Sequence, residues 1–166
     1  MIDRVLRMTI RAISLALGIA CCTVGLPSVS EVRAQAVDGY RVVRTHHSFD
    51  RLQDRIAAAI QGNGMNAVTR ASASDGAKAR GLIIRGDAVI GVFRNDFAIR
   101  MLAADIDAGI EAPIRLHLVE EADGGSSIRY QLPSTVFGRY PGDAIKALGA
   151  ELDPIFERIV SEAAAQ

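Results

Sequence analysis

Alternation of apolar and polar residues along the chain predicts five short β-strands after residue 39. Strands are predicted where apolar residues alternate with polar ones or form a short continuous run bounded by turn residues. They are Tyr40–Thr45, Met65–Ala71, Ala88–Phe93, Ile114–Val119 and Ser127–Leu132. The run Ala88–Phe93 is apolar on both faces, which indicates a central strand.

Apolar residues at helical spacing predict the helices between these strands. The first helix begins at Ser48, a suitable N-cap, and ends at Gly62. A short helical turn follows from Ser74, and a further helix is predicted over Phe97–Ile106. The last predicted helix contains Pro154, so we expect either a kink or two shorter helices joined there.

The last two predicted strands are joined by Ala122–Gly125, a strong hairpin turn. A hairpin, together with helices that are apolar on one face, favours an antiparallel sheet covered on one side. The predicted fold class is therefore α+β, with helices packed on one face of the sheet, and not a Rossmann fold.

The N-terminal 36 residues have the pattern of an export signal. Arg4, Arg7 and Arg11 precede the apolar run Ala12–Val24, and Ala34-Gln35-Ala36 is a small-x-small cleavage pattern. The sequence therefore predicts a cleaved signal peptide over residues 1–36 and a single domain over 37–166. The expected location of the mature domain is periplasmic or secreted.

Two alternatives to simple cleavage stay open. In the first alternative, the leader remains as an uncleaved membrane anchor, although its apolar run is shorter than the ~20 residues that span a bilayer. In the second alternative, a lipid is attached at Cys21. Both cysteines of the chain, Cys21 and Cys22, lie inside this leader. Cleavage near Ala36 would leave a mature domain without thiol, disulfide or cysteine–metal chemistry.

Several ordered motifs between His47 and Tyr140 resemble the bacterial domain-of-unknown-function 302 family. They are Ser48-Phe49, Gly62-Asn63-Gly64-Met65, Ala77-x-x-x-Gly81-Leu82, Phe93-Arg94-Asn95-Asp96, Ala112-Pro113-Ile114-Arg115, Glu120-Glu121-x-Asp123-Gly124 and Tyr130-x-x-Pro133. The resemblance implies a β-α-β(4)-α domain with a four- to five-stranded antiparallel sheet. The family usually has Phe-Gly-Asn-Pro where this chain has Phe93 to Asp96. Since the family has no established activity, the resemblance implies a fold and leaves the function open.

Charge and composition exclude some partners. The whole chain has 19 basic and 19 acidic residues and no tryptophan. The leader holds four basic and two acidic residues, so the predicted mature domain is slightly acidic. Nucleic acids and anionic membrane surfaces require concentrated positive charge, and neither is expected as a partner from this balance.

The predicted ligand site combines a strand-to-helix junction with two strand residues. Arg94, Asn95 and Asp96 lie where a helix begins, and backbone N–H groups there attract anions. Arg115 and Tyr130, on the hairpin strands, complete this predicted site. The alternative is structural: Asn95 or Asp96 caps the helix, and Arg94 pairs with a carboxylate such as that of Asp87.

A second predicted site is a metal site formed by histidines. His117 lies on the polar face of a predicted strand, and His46 and His47 follow another strand. Imidazole suits copper or zinc. Adjacent histidines in an extended segment point to opposite faces, however, so only one of the pair would join His117.

The leading functional hypothesis is an exported, non-catalytic domain that binds a small ligand or a partner protein. It involves no cofactor, no nucleic acid and no membrane span after cleavage, and a sheet edge would allow a homodimer. The alternative hypothesis is periplasmic copper or zinc handling through His117 with His46 or His47. An enzymatic function stays open as a third possibility, because α+β pockets host chemistry that no short motif announces.

Overall fold

The computed structural model describes residues 39–166, in which five antiparallel strands form one sheet of order β1-β5-β4-β3-β2. The strands are β1 (Arg41–Thr45), β2 (Asn66–Ala71), β3 (Asp87–Phe93), β4 (Ile114–Glu120) and β5 (Ser126–Tyr130). The helices are α1 (Phe49–Gly62), α2 (Ala73–Lys78), α3 (Asn95–Ala104), a 3₁₀ helix (Ile106–Glu111), α4 (Pro133–Phe137) and α5 (Asp143–Ala164). This architecture confirms the predicted α+β fold class.

Helices cover one face of the sheet, where α1 and α5 pack against each other. Helix α1 begins as predicted at Ser48, whose hydroxyl accepts a hydrogen bond from the Arg51 backbone N–H. Its apolar side chains, such as Leu52 and Ile56, are fully buried, and Phe156 and Ile159 of α5 are buried as well. Removal of these apolar surfaces from water is the main favourable term that holds the layers together.

The other face of the sheet is open because β4 and β5 alternate apolar and polar residues. Ile114, Leu116 and Leu118 of β4 point into the core, whereas Arg115 and His117 point away from it. A strand places successive side chains on opposite faces, so this alternation separates core residues from open-face residues along one strand.

The last helix differs from one of the two predicted forms. α5 is a single helix of 22 residues with Pro154 inside it, so the prediction of two shorter helices is wrong. Its buried residues continue on both sides of the proline, from Ile145 to Ala163, and this apolar stripe offsets the one backbone N–H that proline lacks. The short α4 and the 3₁₀ helix were not predicted.

The predicted signal peptide, its cleavage site and both cysteines lie outside residues 39–166. Export therefore stays a prediction. Along the described residues, no helix combines the length and the apolar character that a bilayer crossing demands. The predicted homodimer also stays a prediction; β1 and β2 are the two sheet edges, and every residue of β2 is exposed.

Candidate functional site

A groove of about 210 Å³ lies on the open face of the sheet. Adjacent strands supply its cationic and polar side chains: Arg115 and His117 come from β4, and Arg129 comes from β5. The register pairs His117 with Arg129 directly, and Arg115 lies two residues from His117 on the same face. The groove is completed by Tyr40, Val89, Glu111, Ile114, Gln131 and Val136.

Arg115 is the exposed cation of this groove. Within residues 39–166 it forms neither a salt bridge nor a side-chain hydrogen bond. It also lines a neighbouring depression on the same face, together with Thr69, Pro113 and Arg139. The guanidinium therefore has its five N–H donors available for a ligand.

Arg129 is partly committed to Glu121. Its Nη2 atom lies 3.3 Å from Glu121 Oε1, and the Ser127 hydroxyl donates to that same oxygen at 2.6 Å. Arg44 Nη2 lies 4.0 Å from the second carboxylate oxygen. The Ser127 hydroxyl, followed by Arg129 and Arg44, holds the pKa of Glu121 below its usual range. Glu121 is therefore a largely buried carboxylate, and its negative charge holds the Arg129 guanidinium in place beside the groove.

Two further acidic groups limit the positive potential of the groove. His117 Nε2 lies 2.7 Å from Asp87 Oδ2, which orients the imidazole along the sheet. Glu111 lines the groove and accepts a 3.2 Å hydrogen bond from the Tyr140 hydroxyl. Partial burial, and then the adjacent Glu111, raise the pKa of Tyr140. Arg115 is consequently the group most available to an incoming anion.

The residues of the predicted ligand site do not all meet. Arg94 lies beyond β3, where Nε and Nη2 contact both Asp96 carboxylate oxygens at 2.7 and 3.0 Å. Its guanidinium stacks 4.1 Å from the centroid of the Phe97 ring, and Asn95 is exposed in the first turn of α3. The adjacent apolar cavity measures only about 30 Å³, roughly the space of one water molecule. Arg115 alone of the five predicted residues lines the open-face groove.

The structural alternative for this junction holds in part: Arg94 pairs with a nearby carboxylate, but neither Asn95 nor Asp96 is the N-cap. Arg94 itself occupies the N-cap position of α3, and its side chain makes no capping hydrogen bond. It pairs with Asp96, and Asp87 is the partner of His117. Arg94 holds the pKa of Asp96 below its ordinary value. The four groups therefore form two local pairs in separate places.

Tyr130 lies on the opposite face of the sheet from Arg115. Its side chain is only 3% exposed and belongs to the core beneath the helices. Burial raises the pKa of its hydroxyl, and the nearby Arg41 opposes that shift. A ligand in the open-face groove would not reach Tyr130.

The three histidines are also spread over the fold. His47 Nε2 lies 2.7 Å from the carbonyl oxygen of Ala165, at the end of α5. Arg129 of β5 pairs with His117 on one side and with Val42 on the other, so His117 and Val42 lie at the same height in the sheet. His46 follows Val42 by four residues, which places it about 13 Å from that height along the strand direction alone. No group of three or more His, Cys, Asp or Glu side chains capable of holding a metal is present among residues 39–166.

Arg129 and Gln131 are groove residues that the sequence analysis did not select. The signal was present in β5, where Arg129 lies between the apolar Ile128 and Tyr130. The hairpin turn joins β5 to β4, so this alternation would have placed Arg129 and His117 on one face. The partner Glu121, adjacent to the turn, gave no comparable pattern.

The described fold defines a small α+β domain with one helix-covered face and one open face. The sequence profile of the domain of unknown function DUF302 matches residues 41–162. The chain belongs to this family. A search among curated proteins found no match.

A solved structure shares the fold. It is the crystal structure of an uncharacterized conserved DUF302 protein from Bacillus stearothermophilus, with a TM-score of 0.68 and 16% sequence identity. The match covers 76% of this chain and 98% of the other chain. The likeness establishes the fold and leaves the function undefined.

Proposed function

We propose that this domain binds a small anionic ligand, a carboxylate or a phosphate, in the groove on the open face of the sheet. The observation that carries the proposal is the convergence of Arg115, His117 and Arg129 on one groove. Guanidinium groups are planar donors that match carboxylate and phosphate geometry. The proposed role is binding without catalysis.

The groove also has features that would orient such a ligand. Arg115 and His117 lie two positions apart on one strand, or about 7 Å, so an anion between them would contact both. Val89, Tyr40 and Gln131 also line the groove and add apolar and polar surface to it. Glu111 opposes a second negative charge, which favours a compact anion near Arg115 over an extended polyanion.

Calorimetric titration with inorganic phosphate and with succinate tests this proposal. We expect saturable binding that weakens with added salt, as an exposed charge–charge contact does. Arg115→Gln should weaken binding about tenfold or more, because hydrogen bonds to charged groups contribute about 1.5–3 kcal/mol. Arg94→Gln is the matched control, since Arg94 is already paired with Asp96. If Arg94→Gln weakens anion binding and Arg115→Gln does not, the ligand site lies at the strand-to-helix junction and the proposed groove site is wrong.

The proposed alternative, copper or zinc handling through His117 with His46 or His47, has less support from the geometry. His117 lies beside the carboxylate of Asp87, and together the two residues provide two metal ligands. Zinc sites in proteins use three or four protein ligands. Elemental analysis of the purified protein tests it: one equivalent of metal, lost in His117→Ala, would favour metal handling over anion binding.

A further inference from the structure

The loop between α2 and β3 exposes three consecutive branched aliphatic side chains. Leu82 is 57% exposed, Ile83 is 98% exposed and Ile84 is 50% exposed. Single exposed apolar residues are ordinary on protein surfaces, whereas contiguous ones mark a surface that contacts something else. We refer to residues 79–86 as the apolar loop.

Both ends of the apolar loop are held by the fold, so its exposure is a fixed feature. At the first end, Gly81 has φ +74°, and the Leu82 N–H donates to the carbonyl oxygen of Ala77 at 2.9 Å. At the second end, the Gly86 N–H donates to Glu120 Oε2 at 2.6 Å, and Glu120 N–H donates back to the Gly86 carbonyl oxygen at 2.8 Å. The tip is thus presented outward between two anchored glycines.

Basic side chains flank the aliphatic tip on both sides. Lys78 and Arg80 precede it, Arg85 follows it, and all three are exposed. In the described part of the chain, none of the three forms a salt bridge. Three carboxylates line the same depression as the aliphatic tip, and each has a partner. Asp75 pairs with Arg70 at 2.7 Å, Asp50 accepts from Gln53 at 3.4 Å, and Glu120 accepts from Gly86.

We propose that the apolar loop docks the domain onto an anionic lipid surface. Leu82, Ile83 and Ile84 would enter the boundary between headgroups and acyl chains, and the three flanking cations would contact lipid phosphates. Charge complementarity selects this partner, because an exposed aliphatic tip between basic residues matches a negatively charged interface. Protein hot spots depend instead on aromatic and arginine anchors seated in pockets. The nearly neutral whole-chain charge conceals this local concentration.

Residues 37–166 are the appropriate material for the test. The family profile matches residues 41–162, which lie within this fragment, and circular dichroism of the purified fragment checks that it folds. Removing the first 36 residues also removes the apolar run Ala12–Val24, which would bind lipid by itself. The chain has no tryptophan, so Ile83→Trp introduces a single fluorescent reporter at the tip.

The experiment mixes the Ile83→Trp protein with vesicles of phosphatidylcholine alone or mixed equally with phosphatidylglycerol. We expect a blue shift of the tryptophan emission and co-flotation with the anionic vesicles only. The matched control is Ile106→Trp, at an isoleucine that is 72% exposed on the 3₁₀ helix, and its emission should not shift. A shift of both reporters, or of neither, would overturn the proposal.

Charge variants separate the loop from the open-face groove. Arg80→Gln with Arg85→Gln should weaken binding to anionic vesicles roughly thirtyfold, since each cation near such a surface contributes about 1 kcal/mol. Arg115→Gln with Arg139→Gln should leave vesicle binding unchanged while weakening phosphate binding. Loss of vesicle binding in the second pair would show that lipid contacts the groove, which would refute the loop. A partner protein at the loop is excluded as the explanation if purified components alone give the shift.

Discussion

Glu121 is the charged group whose replacement most directly tests the electrostatics of the open face. Its side chain is 14% exposed and contacts Ser127 Oγ at 2.6 Å and Arg129 Nη2 at 3.3 Å. Glu121→Gln keeps an acceptor for Ser127 but removes the charge that faces Arg129. A hydrogen bond between charged groups contributes about 1.5–3 kcal/mol, and a neutral acceptor about 1 kcal/mol. We therefore expect the free energy of unfolding to fall by about 1–2 kcal/mol at neutral pH.

This loss should depend on pH in a defined direction. The folded-state pKa of Glu121 is depressed, chiefly by the Ser127 hydroxyl and then by Arg129, relative to the unfolded chain. The charge therefore stabilises the fold fully above the unfolded pKa, and the stabilisation disappears as pH falls through the folded pKa. The difference between the wild type and Glu121→Gln should shrink toward zero in acid.

Urea denaturation followed by circular dichroism, repeated from neutral pH down to about pH 3, measures this difference. Glu157→Gln is the control, because Glu157 is 46% exposed and pairs with a half-exposed Arg41. Exposed pairs contribute about 0–1 kcal/mol, so the control should change little. If Glu121→Gln costs the same at all pH values, or nothing at neutral pH, the assigned role of the Glu121 charge is refuted.

Three stability predictions use the same urea titrations. Gly86→Ala should lower the free energy of unfolding by about 1–3 kcal/mol, because an added Cβ would lie 2.5 Å from Cδ1 and 2.9 Å from Cδ2 of the Phe49 ring. Gly76→Ala should raise it by about 0.5–1 kcal/mol, since that helical position has open space around it. Leu118→Ala in the core should cost about 2–5 kcal/mol, whereas Val119→Ala on the open face should cost far less. Equal effects of the two glycine substitutions, or of Leu118→Ala and Val119→Ala, would contradict the packing described above.

The sequence predicts the strands well because local alternation carries that information. The strand Ile114–Val119 and the helix after Ser48 agree with the structure to within a residue or two. Pro154 does not divide α5 into two helices, because packing of α5 on the sheet and α1 outweighs a local helix-breaking preference. The resemblance to the DUF302 family also anticipated the fold class, and the profile match confirms that family.

The candidate site was only partly predictable, since it depends on which strands become neighbours. Arg115 was selected from the sequence, but Arg129 joins it only through the β4–β5 register. Tyr130 was grouped with Arg115 although one residue of alternation places it on the opposite face. Arg94 was selected for its position before a helix, and its pairing with Asp96 depends on side-chain geometry that no spacing rule provides.

The strict alternation in β4 has a consequence for how this family can diversify. Leu116 and Leu118 hold the core, and the intervening Arg115 and His117 face outward without contributing to it. Substitutions at the outward positions would change the charge and shape of the groove, and with them the proposed ligand selectivity, while leaving the folded state nearly as stable. Inward and outward positions of β4 can therefore change independently: the inward ones determine the fold, and the outward ones determine the surface of the groove. Relatives with very different outward residues would still be recognised by their shared inward ones.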